Sequence, residues 1–490
     1  MLDRIRKWNI LLFSAVFALI WFWLLITVTA AFQESKKISL AAAVCLVMFV
    51  LGSWAVRRYF RQFQRKRLFW QGWSAVVFFM MTVGLLYAGL ELRVYPGWDF
   101  GAVYQGAVEL AEDGVFSEQS NWYFTTYPNN VMVCLLLGTV FRCFGWLCSY
   151  ITLGVLLNVF LLMAGMVFFF LLAKHLYGLP KAFLGILICA LFLPFYMHTP
   201  IFYTDTFALP FVTGTFLLYQ LRKKDSRFLA VTGLFLAIGY KVKGSLGVIL
   251  VALLIHIWLQ KERLVECVKR SILLAVPFLL LTGFLTILPG WLSFLDMSEM
   301  QKNEFPVEHW LAMGLEGSGG YSADVYWMTA SVEGKEEKKE ADREFIQEKL
   351  REYRVSGLLR HLKDKTVFTW GDGVYFAPEK LKRDPLKESR LHSWFLYDGA
   401  DYGKTYRYCS VMQLLLLLGI GLSVFCNFTE RGWAREIQAV QLAVFGLFLF
   451  LLIWETRSRY LINFVPLFAL LGIDGITSVE NWLAGRKKNV

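Results

Sequence analysis

Cysteine gives this chain no framework. Eight are scattered over 490 residues, mostly inside apolar runs, and none falls in the polar stretch between Cys267 and Cys409. Each reads as a small core hydrophobe, so neither a disulfide scaffold nor a cysteine metal site is expected. Strict alternation of apolar and polar residues is also missing, which excludes a transmembrane barrel. Nor is there a basic face. The net charge of +12 is broken into short Lys and Arg clusters between apolar runs, a pattern that excludes nucleic acid as a partner and matches cytoplasmic loops of a membrane protein.

What the chain has in quantity is hydrocarbon. It is 57% hydrophobic and 17% aromatic, with mean hydropathy +0.49, which fits neither a soluble globular chain nor a disordered one. Apolar runs of about 17 to 25 residues recur from end to end, and in lipid their backbone must be helical. The expected fold is therefore an all-α, polytopic integral membrane protein in the plasma membrane. Twelve crossings are expected, with both termini cytoplasmic. They lie near 8–32, 38–56, 72–90, 149–173, 181–198, 203–221, two short crossings within 228–259, 271–289, 409–426, 437–454 and 460–478. Arg57 to Arg67, Lys174 with Lys181, Arg222 to Arg227, Lys261 to Arg270, Arg431 with Arg435, and Arg486 to Lys488 mark the inside. Residues 130–147 fit as a helix lying at or dipping into the outer face, with a miscounted span as the alternative.

Four parts follow: 1–70, two N-terminal helices and a basic loop; 71–289, the main module; 290–408, an extracytoplasmic and mainly helical loop domain; and 409–490, the C-terminal helices. In the loop domain, 334–367 reads as an amphipathic helix burying Phe345, Leu350, Tyr353, Leu358 and Leu359.

The organising stretch is Glu91 to Asn130. Asp99 follows a span directly, among aromatics and glycines, where a carboxylate is half out of water and can act as a base. A solvated acid capping the next helix is the plain alternative. Tyr127-Pro-Asn129-Asn130 closes the same loop, and a second buried-looking acid, Asp205, lies in Tyr203-Thr-Asp-Thr at the outer end of a later span. Lys241 and Lys243 interrupt an apolar region at its outer turn, where they either snorkel to headgroups or meet an anion. Glu455-Thr-Arg457-Ser-Arg459-Tyr460 puts arginines on the outer side, against the usual charge rule, where a guanidinium fork suits phosphate or carboxylate. A Glu455–Arg459 pair at i,i+4 is the internal alternative. His309 sits in an aromatic and glycine-rich run, 305–321, suited to folding over a pocket.

Taken in order, Asp99, Tyr127-Pro-Asn-Asn, Tyr203-Thr-Asp-Thr and Glu455-Thr-Arg-Ser-Arg-Tyr resemble the GT-C superfamily of membrane glycosyltransferases. The likeness is to its protein mannosyltransferase and aminoarabinose transferase-like branch, over residues 70 to 475. The resemblance implies a helical bundle with outer juxtamembrane helices, a polyprenyl-phosphate sugar as donor, an extracytoplasmic acceptor, and chemistry at the outer face beneath a loop canopy. It implies Asp99 as general base and Asp205 as the acid of the second outer loop. Two extra N-terminal spans and an unfamiliar loop domain depart from the pattern.

The chemistry explains the residue types. Transfer to an acceptor hydroxyl needs a carboxylate at that hydroxyl and cations for the departing phosphate. Lys241, Lys243, Arg457 and Arg459 are the candidates for the phosphate, and Tyr127, Asn129, Asn130, Tyr203, His309, Glu455 and Tyr460 for the pocket. No cofactor is required. A divalent ion between Asp99 and Asp205 remains open, but no Asp-x-Asp pair favours it. A transporter or flippase for an organic anion or lipid-linked substrate is the rival; it calls for mid-membrane charges and a repeat between halves, and neither is visible.

Overall fold

The computed structural model describes residues 2–59, 66–222, 225–260, 263–428 and 435–483. Within them the chain is helical, and the one β-type contact is an isolated antiparallel bridge between Val94 and Pro385. Seven helices are long and apolar enough to cross a membrane: Trp8–Ala31, Ser35–Ala55, Arg67–Glu91, Tyr150–Tyr177, Leu264–Trp291, Tyr402–Phe428 and Ser458–Leu483. The other five expected crossings fall on the shorter helices Leu179–Ala190, Leu209–Leu221, Arg227–Val242, Gly247–Leu259 and Ile437–Ile453, so length alone supports seven of the twelve. Val131–Phe144 counts as a further span only when joined to Glu118–Thr126, from which the chain turns by 102°. The marker residues Arg61, Arg65, Lys223, Lys224, Lys261, Arg431 and Arg486 to Lys488 lie outside the described residues.

Burial orders the bundle. Ser458–Leu483 is mostly enclosed, whereas Ser35–Ala55 and Leu264–Trp291 expose most of their surface, as lipid-facing helices can without penalty. The enclosed helix meets Tyr402–Phe425 almost backbone to backbone: a Cβ at Gly419 would stand 2.8 Å from the Cα of Gly472. Small residues at such crossings let two helices gain contact along their whole length.

The segment after Trp291 folds into helices Met297–Asn303, Val307–Leu315, Ala323–Ala330, Lys335–Trp370, Ala377–Leu381 and His392–Phe395. The expected apolar stripe within 334–367 is corrected here. Arg354, at φ 49°, breaks the long helix, so the 3.6-residue period does not carry across it, and Leu350 and Leu359 are exposed. The face that is buried instead carries Lys338, Asp342, His361 and Lys365.

Two sets of bonds close this segment over the Glu91–Asn130 loop. On one side Asn121 Nδ2 donates to Glu299 at 2.8 Å and Asn303 Nδ2 to Thr125 at 3.1 Å. On the other, flanking the Val94–Pro385 bridge, Tyr95 N donates to the Asp384 carbonyl and Leu386 N to that of Arg93, both at 2.9 Å. Lys387 pairs with Glu91 at 2.5 Å. Residues nearly 300 positions apart thereby share one surface.

Candidate active site

Asp99 lies in the first turn of the helix Trp98–Glu112, which Gly97 opens. Trp98 takes φ 56°, a left-handed conformation that costs a non-glycine residue about 1 kcal/mol or more. Its ring is held there by Arg383, which lies on it, and by Lys380, whose Nζ is 4.8 Å from the ring centroid. The Asp99 side chain is exposed and accepts one hydrogen bond, from Tyr123 Oη at 3.1 Å. No cation stands within ion-pair distance of it among the described residues.

From Asp99 a relay of hydrogen bonds leads inward. Asn130 Nδ2 donates to Tyr123 Oη at 2.7 Å, and Asn130 Oδ1 accepts from Tyr203 Oη and Asn129 Nδ2, both at 3.2 Å. Tyr203 precedes the short helix Thr204–Phe207 that carries Asp205. Asn158, buried in Tyr150–Tyr177, shapes the approach by donating to the carbonyls of His198 and Thr199 at 3.1 and 2.8 Å.

Asp205 is almost fully buried, and its carboxylate is shared between Lys243 on one oxygen and Arg459 on the other, the latter at 2.5 Å. Two cations share this carboxylate, and buried Glu455 is a second acid whose field reaches both of them. Both also face the ring of Tyr460, at 4.6 Å for Lys243 and 4.8 Å for Arg459, and Tyr460 Oη donates to Glu455 at 2.6 Å. The Glu455–Arg459 pair that the spacing allowed is thus not made. Glu455 precedes the 3-10 helix Ser458–Phe464, and Arg457 between them is extended at φ −151° and ψ 152°, so Glu455 and Arg459 are not one helical turn apart.

Arg457 is handled differently. Its guanidinium lies against the rings of Phe368 and Phe376 at 4.6 and 4.7 Å, and among the described residues no carboxylate pairs with it. Phe376 reaches this place through two consecutive left-handed residues, Tyr375 and Phe376, at φ 57° and 60°. Asp372 supports the turn by accepting from the backbone N–H of Val374 and Phe376 at 3.0 and 2.7 Å, and from Ser458 Oγ at 2.6 Å. Gly320 packs on the other side, where a Cβ would come within 3.2 Å of Arg457 Nε. The glycine run at 317–320 is fixed from below by Lys365, which donates to the Gly314 carbonyl at 2.6 Å. Burial pushes the Lys365 ammonium down to about 7.

Most of the residues singled out from sequence therefore converge: Asp99, Asn129, Asn130, Tyr203, Asp205, Lys243, Glu455, Arg459 and Tyr460 form one continuous network, with Tyr127 joined by ring contact to Tyr123. Two do not. Lys241 donates to Thr286 Oγ1 at 3.2 Å, because it still belongs to the helix Arg227–Val242, whereas Lys243 is extended at φ −153° and ψ 110° and turns to Asp205. His309 is bonded within the loop segment to Thr329 at 2.7 Å, and Thr329 donates to Asp342. Burial pushes His309 down to about 3 and Asp342 up to about 6, so this is a packed polar core rather than part of the carboxylate network. Asp205, expected to orient the partners of Asp99 or the acceptor, has its oxygens committed to Lys243 and Arg459.

Sequence reasoning passed over Trp98, Tyr123, Lys380, Arg383 and Asp372. Lys380 is buried, and that burial together with Arg459 pushes its ammonium down to about 7. Only Trp370-Gly-Asp-Gly carried a local signal, as a turn. Beside Trp98 a cavity of about 610 Å³ opens between Tyr95 to Trp98 and Glu379, Lys382, Arg383 and Asp384. Among the described residues no three His, Cys, Asp or Glu side chains are grouped to hold a metal ion.

A family model described as "conserved hypothetical integral membrane protein" matches residues 3–478. No curated protein matches the sequence. Among solved structures, the chain is similar to the crystal structure of the Archaeoglobus fulgidus oligosaccharyltransferase in complex with Zn and sulfate, at 12% identity and a TM-score of 0.43, over 83% of this chain. It spans about half, 50%, of the length of that protein.

Proposed function

We propose that this chain, which belongs to the conserved hypothetical integral membrane protein family, is a membrane glycosyltransferase that moves a sugar from a polyprenyl-phosphate donor to an acceptor hydroxyl on the extracytoplasmic face. One observation carries the reading. An exposed carboxylate, Asp99, lies outside ion-pair distance of any cation among the described residues and is joined through Tyr123, Asn130 and Tyr203, whose ring faces Arg459 at 6.0 Å, to a cluster where Lys243 and Arg459 meet Asp205 and Glu455 while neighbouring Arg457 has no carboxylate partner. A base and an anion seat are the two things this transfer asks of a protein.

In the proposed step the acceptor oxygen gives its proton to Asp99 and bonds to the anomeric carbon. The bond from that carbon to the phosphate oxygen breaks, and its electron pair leaves on the polyprenyl phosphate. One displacement inverts the anomeric centre and needs no second carboxylate as nucleophile. Arg457 offers the departing phosphate a fork with no competing carboxylate, and Arg459 and Lys243, each bonded to Asp205, are the further cations of the seat. Asp205 is then a positioning residue that holds those two cations. The acceptor enters by the cavity beside Trp98, the residue before Asp99.

The test uses the purified chain in lipid nanodiscs with radiolabelled polyprenyl-phosphate sugars and a membrane lipid extract. Label passing to a new product, and not doing so with Asp99→Asn, is the expected result. Movement of the labelled donor across proteoliposomes without transfer would overturn it in favour of a flippase.

A further inference from the structure

Lys380 has no place in the step as written. It is 7% exposed, and among the described residues it makes no hydrogen bond or ion pair; its contact is the ring of Trp98. It nevertheless stands within the fields of Arg459, Asp99, Asp205 and Arg383. A ring face compensates a buried ammonium far less than the loss of its water costs. One helical turn earlier in the chain is Phe376, on which Arg457 lies. One turn of chain thus carries buried Lys380 and the ring on which half-buried Arg457 lies, neither cation having a carboxylate partner among the described residues, and the Val94–Pro385 bridge brings that turn up to Asp99.

We propose that Lys380 is a ligand of the donor's phosphate and serves chiefly its departing form. This rests on the glycosyl-transfer reading above. A polyprenyl-phosphate sugar is a phosphodiester with one negative charge. Once the sugar leaves, the polyprenyl phosphate is a monoester carrying close to two. Over the same step Asp99 takes a proton and loses its charge, so negative charge moves from Asp99 to the phosphate. A cation that feels Asp99 on one side, and on the other faces a phosphate held among these cations, is compensated before and after, whereas in the empty site Arg459 opposes it. Only the second partner strengthens as the bond breaks. Such a contact lowers the barrier instead of merely tightening the substrate.

The experiment measures binding of radiolabelled polyprenyl phosphate to the full chain in phosphatidylcholine nanodiscs, followed by turnover. Lys380→Met and Lys380→Gln should each weaken polyprenyl phosphate by about 10- to 100-fold, leave uncharged polyprenol binding unchanged, and lower kcat more than they raise KM for the donor. Lys380→Arg should recover most of the binding. Intact binding by both neutral variants would overturn the role of Lys380 alone. Equal competition by phosphatidic acid would overturn it too, in favour of a general headgroup site. No binding by the unaltered chain would overturn the glycosyl-transfer reading and this inference with it.

Discussion

Replacing Asp99 by Asn separates chemistry from structure at this site. The side chain is exposed, so the change carries no burial penalty. Its one hydrogen bond is donated by Tyr123 at 3.1 Å, and an amide oxygen accepts it equally well. Asn130, which donates to Tyr123, need not move. Folding and membrane insertion should therefore match the parent. What is lost is the lone pair basic enough to take the acceptor's proton, which is worth on the order of 100-fold or more in rate, or about 2.7 kcal/mol or more on the barrier. Binding of polyprenyl phosphate should be unchanged or tighter, since a negative charge is removed near the leaving group. The assay pairs transfer of radiolabelled sugar with a melting curve in the same nanodiscs. Transfer within a few-fold of the parent, with a normal melt, would refute the assignment of Asp99 as base.

Asp205→Asn should act on stability first: breaking a buried ion cluster costs about 3 to 5 kcal/mol, visible as a lower melting temperature, and an unchanged melt would contradict the anchoring role. Arg457→Ala should raise the donor concentration needed at saturating acceptor by about 10- to 100-fold, with Arg457→Lys recovering only part; a shift confined to the acceptor titration would count against it. Because burial and then Arg459 push Lys380 down to about 7, it is charged below that pH and neutral above it in the empty site. Polyprenyl phosphate binding should therefore weaken as pH rises through 7 to 9, and Lys380→Arg should flatten the profile; a titration identical in both forms would exclude Lys380 as the source. With exposed Cys143 removed, cysteines replacing Glu118 and Ser331 should react with an impermeant thiol reagent in intact cells and one replacing Ser226 should not; the reverse pattern would invert the proposed sidedness.

The bundle was legible because lipid enforces it: a run of apolar residues has one backbone solution there, so helix positions follow directly from composition. Asp205 and Arg459 were legible as charges where charge is expensive, and Asp99, whose side chain is exposed, only by its place directly after a span. Their partners were not. Lys241 and Lys243 are equivalent by composition, and only the extended backbone at Lys243, invisible in a hydropathy pattern, sends one to Asp205 and leaves the other on Thr286. Lys380 was hidden for the opposite reason. It sits in a charged stretch where a lysine attracts no notice, and its burial depends on a two-residue bridge between segments far apart in the chain. The stripe within 334–367 held only in part: Phe345, Tyr353 and Leu358 are half-buried, Leu350 is exposed ahead of Arg354, and beyond that left-handed residue the phase of the helix is reset.

The cluster at Asp205 also has a history within each molecule's synthesis. Its two cations are made at different times: Lys243 follows 38 residues after Asp205 and Arg459 only 254 residues after it. At roughly 5–20 residues per second, Asp205 waits roughly 13–50 s for its arginine, with Lys243 as the interim counter-charge. A nascent chain thus already carries a neutral pair at this position while its second half is still on the ribosome. On the proposed assignment the base at Asp99 is made long before the phosphate ligands Arg457 and Arg459, so an unfinished chain would hold the one without the other.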